Sequence, residues 1–439
     1  MKMLTVDGVT RRHMLGATLM SSFGLAMGCH QSEQEGQQVA PEADRVKIPL
    51  RIVYAGEIGD LNVIKRGWGS ISDHPLEIQS LPLTRDSSGV SDSELVSACI
   101  RCDVAIVPLS LLPALRQADA IVPLSKTLAE QADQDLGALY PAVRNAAAVF
   151  AGETICMPLG AIQPCLLTND PVGHLDSWEA YDELVQSWSG LAAEPTAVGW
   201  AAVSFLMRCL EQERWLFEGD SLTPALSDAS YVEALELMVK TCRRCQYQAL
   251  TPVQVWESVA SGALKGGISS PSAKLMLDAN LSVNRLPGGL ELEKIMLDPF
   301  SPVGVLSASC RQTAIARQFA LWISGGDGSQ SVRSKISAMG SVRRSPVLVQ
   351  EKTSPVLQSS YQQFLVERLN QPVTLPSLQI LEAKQYFDVL DQQVRLAILG
   401  ENSPSESLTK VCEQWEALTE QVGRDEQMKV WKRINGAIS

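Results

Sequence analysis

Aromatic side chains make up only 5% of this 439-residue chain, and histidine occurs four times, at 13, 30, 74 and 174. The sequence has no His-Glu-x-x-His pair to hold a catalytic zinc and no Gly-x-Ser-x-Gly nucleophile turn. Glycine-rich phosphate loops of the Gly-x-x-x-x-Gly-Lys and Gly-x-Gly-x-x-Gly kinds are missing as well. Catalysis therefore has no visible machinery, and no cofactor or metal is implied. Positive charge is in deficit too: 37 Lys and Arg stand against 49 Asp and Glu, a formal net charge of −12. That balance argues against a nucleic-acid partner and against charge-driven binding to an anionic membrane. After residue 29 no apolar run approaches the length of a membrane span, and no repeat of 20–50 residues is visible.

What is present begins at the N-terminus. Arg11 and Arg12 stand ahead of an uncharged run from Ala17 to Gly28, too short to cross a bilayer. A twin arginine before a short apolar segment predicts an export signal of the twin-arginine kind. Leu25-Ala-Met-Gly-Cys29 resembles a bacterial lipobox, although Ala26 and Met27 depart from its favoured residues. Residues 1–29 are thus expected to be a signal peptide ending at a lipidated Cys29. From His30 to Asp44 the only large aliphatic or aromatic residue is Val39, so residues 30–46 read as a flexible spacer. The expected location is the periplasm or cell envelope, with a lipid anchor.

Ten cysteines are present, and assigning Cys29 to the lipid leaves an odd number, so at least one is unpaired within the chain. Cys99/Cys102 and Cys242/Cys245 each have the spacing of half a zinc site. They lie far apart, no histidine flanks them, and their order of strand and helix is the reverse of a redox pair's. Buried thiols or local disulfides are the remaining reading.

The hydrophobic content of 45% supports a full-sized core, and the length predicts two or three domains. Lys47–Tyr54, Leu76–Leu81 and Asp103–Val107 read as strands. Helices follow from Asp60, from the capping box Ser91-x-x-Glu94 and from Leu111. This β-α-β-α-β rhythm predicts an α/β lobe with a parallel sheet. Short strands over 154–158 and 165–168 follow, and helices dominate from Ser177. Capping boxes are read at Ser230-x-x-Glu233 and at Thr251-Pro-Val-Gln254. Strands are expected at 266–269, 283–287 and 303–306, and a helix over 312–324. Three terminal helices are expected at about 354–369, 380–398 and 405–436.

Several of these segments, in this order, resemble the family 1 extracellular solute-binding proteins, the maltose- and sugar-binding type that serve ABC importers. They are Asp103-Val-Ala-Ile-Val-Pro108 with its following helix, Thr154-Ile-Cys-Met-Pro-Leu159, and Trp178-Glu-x-Tyr181. Phe319-Ala-Leu-Trp-Ile-Ser324, the Gly340–Pro346 loop and the closing helix around Gln421–Trp431 complete the set. The resemblance implies an α/β, two-lobed periplasmic-binding-protein fold with a hinge, a cleft between the lobes and a helical C-terminus. Lobe one would hold 47–157 and 300–340; lobe two would hold 158–297 and 347–439. Chain crossings are expected near 155–160, 295–303 and 340–347. The implied function is a membrane-tethered extracytoplasmic receptor, monomeric, that captures a small polar solute by hinge closure and delivers it to ABC permease subunits. A sugar or polyol is the favoured solute. The alternatives are a degenerate binding fold acting as an envelope scaffold or sensor partner and, with less support, a hydrolase.

Ligands of open α/β sheets sit at the carboxyl ends of the strands. That rule selects Glu57 and Asp60 after the first strand, Ser110 after the third, and Ser269, Ser270 and Ser272 after the 266–269 strand. It also selects Gln163 in the crossover loop. Glu57 and Asp60 serve equally well as a turn and a helix cap. Position in the family adds Trp200, Ser341 and Arg343. Trp200 and Trp68 are the leading aromatic platforms for a sugar ring, with Trp256 third, though Trp68 also fits a core position. Trp178, Trp215, Trp322 and Trp431 read as core. No aromatic follows Ser269-Ser-Pro271 at once, which argues against a long oligosaccharide and leaves a small sugar, polyol or other polar solute.

Overall fold

The computed structural model describes residues 47–435 except 87, 151, 220, 272–280, 289–293, 327–328, 337, 341 and 345–359. The signal, the spacer, Cys29, Ser272, Ser341 and the first turns of the expected 354–369 helix lie outside the described residues.

Two sheets organise residues 47–435. The first runs in the order Leu76–Leu81, Leu50–Ala55, Val104–Pro108, Pro302–Ser307, Ile121–Val122, and Met157–Pro158 also pairs with Pro302–Ser307. Its first three strands are parallel, and Pro302–Ser307 returns antiparallel to Val104–Pro108. Val104–Pro108 is buried along its whole length, as an unbroken apolar run in a covered parallel sheet should be. The second sheet runs Tyr247–Leu250, Ala192–Pro195, Gly266–Ser269, Cys165–Thr168, Ser282–Asn284. Here too the first three are parallel, and Cys165–Thr168 opposes its two neighbours. The chain passes from the first sheet to the second after Met157–Pro158 and returns before Pro302. It reaches the second sheet's side again with the helix Ser360–Leu369. The result is the mixed α/β, two-lobed architecture.

Local chemistry sets the helix starts. Ser91 and Thr251 form the predicted capping boxes, and Ser177 caps Trp178–Ser187. Two starts differ from the sequence reading. The helix at 229 begins at Ala229 behind Asp228, so Ser230 is already helical and no box forms there. Asp60 is the first helical residue rather than a cap, and its carboxylate instead accepts the Tyr54 hydroxyl proton. The expected final helix is two, Pro404–Val422 and Arg424–Asn435, because Gly423 sits at φ 103° between them.

Trp68 is buried against Phe319 and Trp322, with ring centroids 5.3 and 5.4 Å away. It belongs to the core between the helices Asp60–Gly69 and Thr313–Ile323. Trp256 packs edge-on against Tyr361 and is likewise buried. The terminal helices close over Phe217, Tyr386 and Trp415. The nine cysteines among the described residues are free thiols. Burial pushes the Cys102 thiol up to about 12, so it stays protonated and inert. Among the described residues no helix is long and apolar enough to cross a membrane.

Candidate functional site

A cavity of about 270 Å³ lies where the carboxyl ends of strands from both sheets meet. From the first sheet, the end of Leu50–Ala55 supplies Tyr54, Glu57 and Asp60, and the end of Val104–Pro108 supplies Val107 and Pro108. From the second, Gly266–Ser269 supplies Ile268, Ser269 and Ser270, and Pro195 ends its own strand there. Trp200, at the amino end of the helix Ala201–Arg208, and Val203, Ser204 and Met207 along it complete this side. The walls are predominantly apolar, with Leu83, Ile162, Val253, Ile336 and Met339 among them.

The polar groups are few and mostly engaged. Tyr54 donates to Asp60, Ser204 donates to the Pro195 carbonyl at 2.8 Å, and Ser269 donates to the Pro252 carbonyl at 2.6 Å. Burial, then the neighbouring Asp60, holds the Tyr54 hydroxyl well above its usual range, so it remains a donor. Gly56 is packed so closely that a Cβ there would meet the Tyr54 ring at 2.6 Å. The turn leaving the first strand therefore needs glycine to let that ring lie beneath it.

The segment that follows Leu76–Leu81 adds Leu83 and Arg85 to the lining. Its Arg85 lies with the guanidinium carbon 3.5 Å from the Trp200 ring centroid and 4.7 Å from that of Phe300, and it pairs in fork fashion with Asp298. Gly199, at φ 77°, allows this approach: a Cβ there would meet the Arg85 Cβ at 2.1 Å. The next residue, Asp86, accepts from Lys384 through its carbonyl. The amino end of Ala201–Arg208 is meanwhile closed by Asp391, whose carboxylate accepts from Gly199 N at 2.8 Å and Ala202 N at 3.1 Å.

Of the residues selected from the sequence, Glu57, Asp60, Trp200, Ser269 and Ser270 line this one cavity. Five others among the described residues do not, and each for a physical reason; Trp256 is one, buried against Tyr361. Trp68 is consumed by the aromatic core described above. Ser110 turns inward on the short helix Leu109–Leu111 and is buried, its backbone N donating to the Pro299 carbonyl at 3.0 Å. Gln163 is buried beneath the crossover: its amide donates to the Ile162 carbonyl, and its backbone is held by the Tyr361 hydroxyl at 2.7 and 3.0 Å. Its flanking residues Ile162 and Pro164 face the cavity instead. Arg343 donates to Asp133 and to the Gly137 carbonyl, at 2.8 and 2.7 Å, and stands at a separate, smaller depression. Burial lowers its pKa, and Asp133 opposes that shift.

Sequence reading missed Tyr54, Arg85, Asp298 and Phe300. Asp298-Pro-Phe300 does fall in the crossing expected at 295–303, which was the available signal. Arg85 had none, because its partners lie more than a hundred residues away.

No protein-family model matches the chain, and no curated protein matches it. Solved structures do. An ABC-transporter solute-binding protein from Agrobacterium vitis S4, with bound D-mannitol, is 14% identical. The match covers 85% of this chain and 99% of that one at a TM-score of 0.64. The sugar-binding protein MalE from Xanthomonas citri is 15% identical over 87% of this chain and 100% of its own, at 0.65. A solute-binding protein from Agrobacterium radiobacter K84, in complex with ribitol, is 12% identical over 84% and 98%, at 0.63. The fold of this chain is that of the ABC-transporter solute-binding proteins.

Proposed function

We propose that this chain is an extracytoplasmic receptor that captures a small solute in the cavity between its two sheets and delivers it to ABC permease subunits. Cys29 would carry the lipid that tethers it, residues 30–46 would be the spacer, and the twin arginine would direct export. The observation that carries the reading is the meeting of strand carboxyl ends from two separate sheets at one cavity. A hinge between lobes can open and close such a cavity, and ligand contacts made only in the closed state favour closure. Glu57, Asp60, Trp200, Ser269 and Ser270 are the proposed ligand contacts. At about 270 Å³ the cavity is at the small end for a ligand site. That size favours a solute of monosaccharide or polyol dimensions, in keeping with the mannitol and ribitol held by two of the similar structures.

A thermal-melt screen of the full-length chain against mono- and disaccharides, polyols, amino acids, organic amines and oligopeptides tests the proposal. A saturable rise in melting temperature with one small-solute class is expected. A well-folded protein that responds to none of them would contradict it and favour the scaffold reading.

A further inference from the structure

The guanidinium of Arg85 already occupies the kind of site a cationic ligand would use. Two aromatic rings, Trp200 and Phe300, face it at 3.5 and 4.7 Å, and the Asp298 carboxylate closes the box. A planar cation over indole, paired bidentately with a carboxylate, is the geometry that recognises guanidinium and ammonium groups. Here the chain supplies that cation itself, from the segment that follows Leu76–Leu81.

The rest of the cavity has the same preference. Glu57, Asp60 and Asp298 are acidic, Arg85 is the lone basic residue among the described lining, and it is committed to Asp298. The hydroxyl protons of Tyr54, Ser204 and Ser269 are given to protein acceptors. The lining thus carries more negative than positive charge, with the Ser270 and Ser301 hydroxyls as its other polar side chains. The helix amino end beside Trp200 offers an anion nothing, because Asp391 has taken its N–H groups.

We infer that the Trp200–Phe300–Asp298 box is a cation subsite, and that the solute is a small organic cation whose guanidinium or ammonium group takes the place of Arg85. This rests on the receptor reading above and narrows its ligand. Arg85 is then a tethered competitor. It holds its own segment against Trp200 and gives way when the solute's cation takes its place. The ligand's body, of polyol size, lies towards Glu57 and Asp60.

The test compares the full-length wild type with Arg85→Gln, Arg85→Ala and the double variant Arg85→Gln/Asp298→Asn. Ethylguanidinium is the head-group probe, agmatine the dication, and D-mannitol the neutral control. Circular dichroism first establishes that each variant folds, and Arg85→Gln, which keeps the aliphatic stem without the cation, serves if truncation to alanine does not fold. Emptying the box should let ethylguanidinium bind at least tenfold more tightly to Arg85→Gln than to wild type, read by calorimetric titration. Agmatine should show the same direction of change, and the added Asp298→Asn should abolish the gain. Equal response of wild type and Arg85→Gln to both cations would overturn the inference. So would saturable mannitol binding that is untouched by the box variants. In that second case the receptor reading stands, since it fails only if no solute of any charge binds the wild type.

Discussion

At the level of single residues, the fold depends on a few buried polar contacts whose loss has a definite cost. Glu194 and Arg208 are both buried and ion-paired, and the Arg208 guanidinium also lies 4.2 Å from the Trp178 ring centroid. Desolvation pushes the Glu194 carboxyl upward, and Arg208 opposes that shift. Arg208→Ala would leave an uncompensated carboxylate in the core and should destabilise the protein by about 3–5 kcal/mol in urea unfolding. Gly199→Ala should act on the Arg85 segment, because its Cβ has no room beside Arg85 and its φ of 77° is unfavourable for alanine. The expected result is faster proteolysis of the 82–90 segment with the rest of the chain protected. Residues such as Glu57, Asp60, Ser269 and Ser270 were legible in the sequence because a general rule about strand ends places them. Arg85 and Asp298 were not, because what matters about them is their long-range pairing. Trp68 misled because helical periodicity gives the buried face of a helix but not what covers it.

Elements were read best where their ends carry local chemistry. Ser91, Ser177 and Thr251 cap the helices that follow them because each side chain meets a backbone N–H three residues on. Ser230-x-x-Glu233 has the same letters and fails, since Asp228 at φ −61°, ψ 147° already starts the helix two residues earlier. The start of Ala201–Arg208 has no local cap at all. Its N–H groups are met by Asp391 from a helix almost two hundred residues away, which no reading of neighbours could supply. Asp391→Ala should therefore destabilise by about 2 kcal/mol, and Asp391→Asn by less. Both should weaken solute binding through a misplaced Trp200, as seen in paired urea unfolding and ligand titration.

Across the whole molecule, the alternation of strands and helices made one α/β lobe readable and the family resemblance implied the second, but neither showed how Arg85 ties one side of the cavity to the other. That tie has a pH dependence. Asp92, the first residue of the helix Asp92–Cys99 that follows the Arg85 segment, is buried, and its pKa is raised to about 6. Desolvation is the main cause and Glu382 the next, with Lys384 opposing and Asp388 adding. The folded state thus holds this proton more tightly than the unfolded chain, so its stabilising effect is present at low pH. It is lost as pH rises from the unfolded value towards 6, and the contribution is flat above. Asp92→Asn removes the titration, so its stability relative to wild type should be higher by about 3 kcal/mol at neutral pH than below pH 4. Urea unfolding at the two pH values checks this. The central claim is that one small solute binds between the two sheets against Trp200. Calorimetric titration of the solute found by the melt screen, into wild type and Trp200→Ala in parallel, tests it most directly. The account predicts one site per chain in the wild type and at least tenfold weaker binding in the folded variant. Equal affinity in the two proteins would place the ligand elsewhere and contradict it.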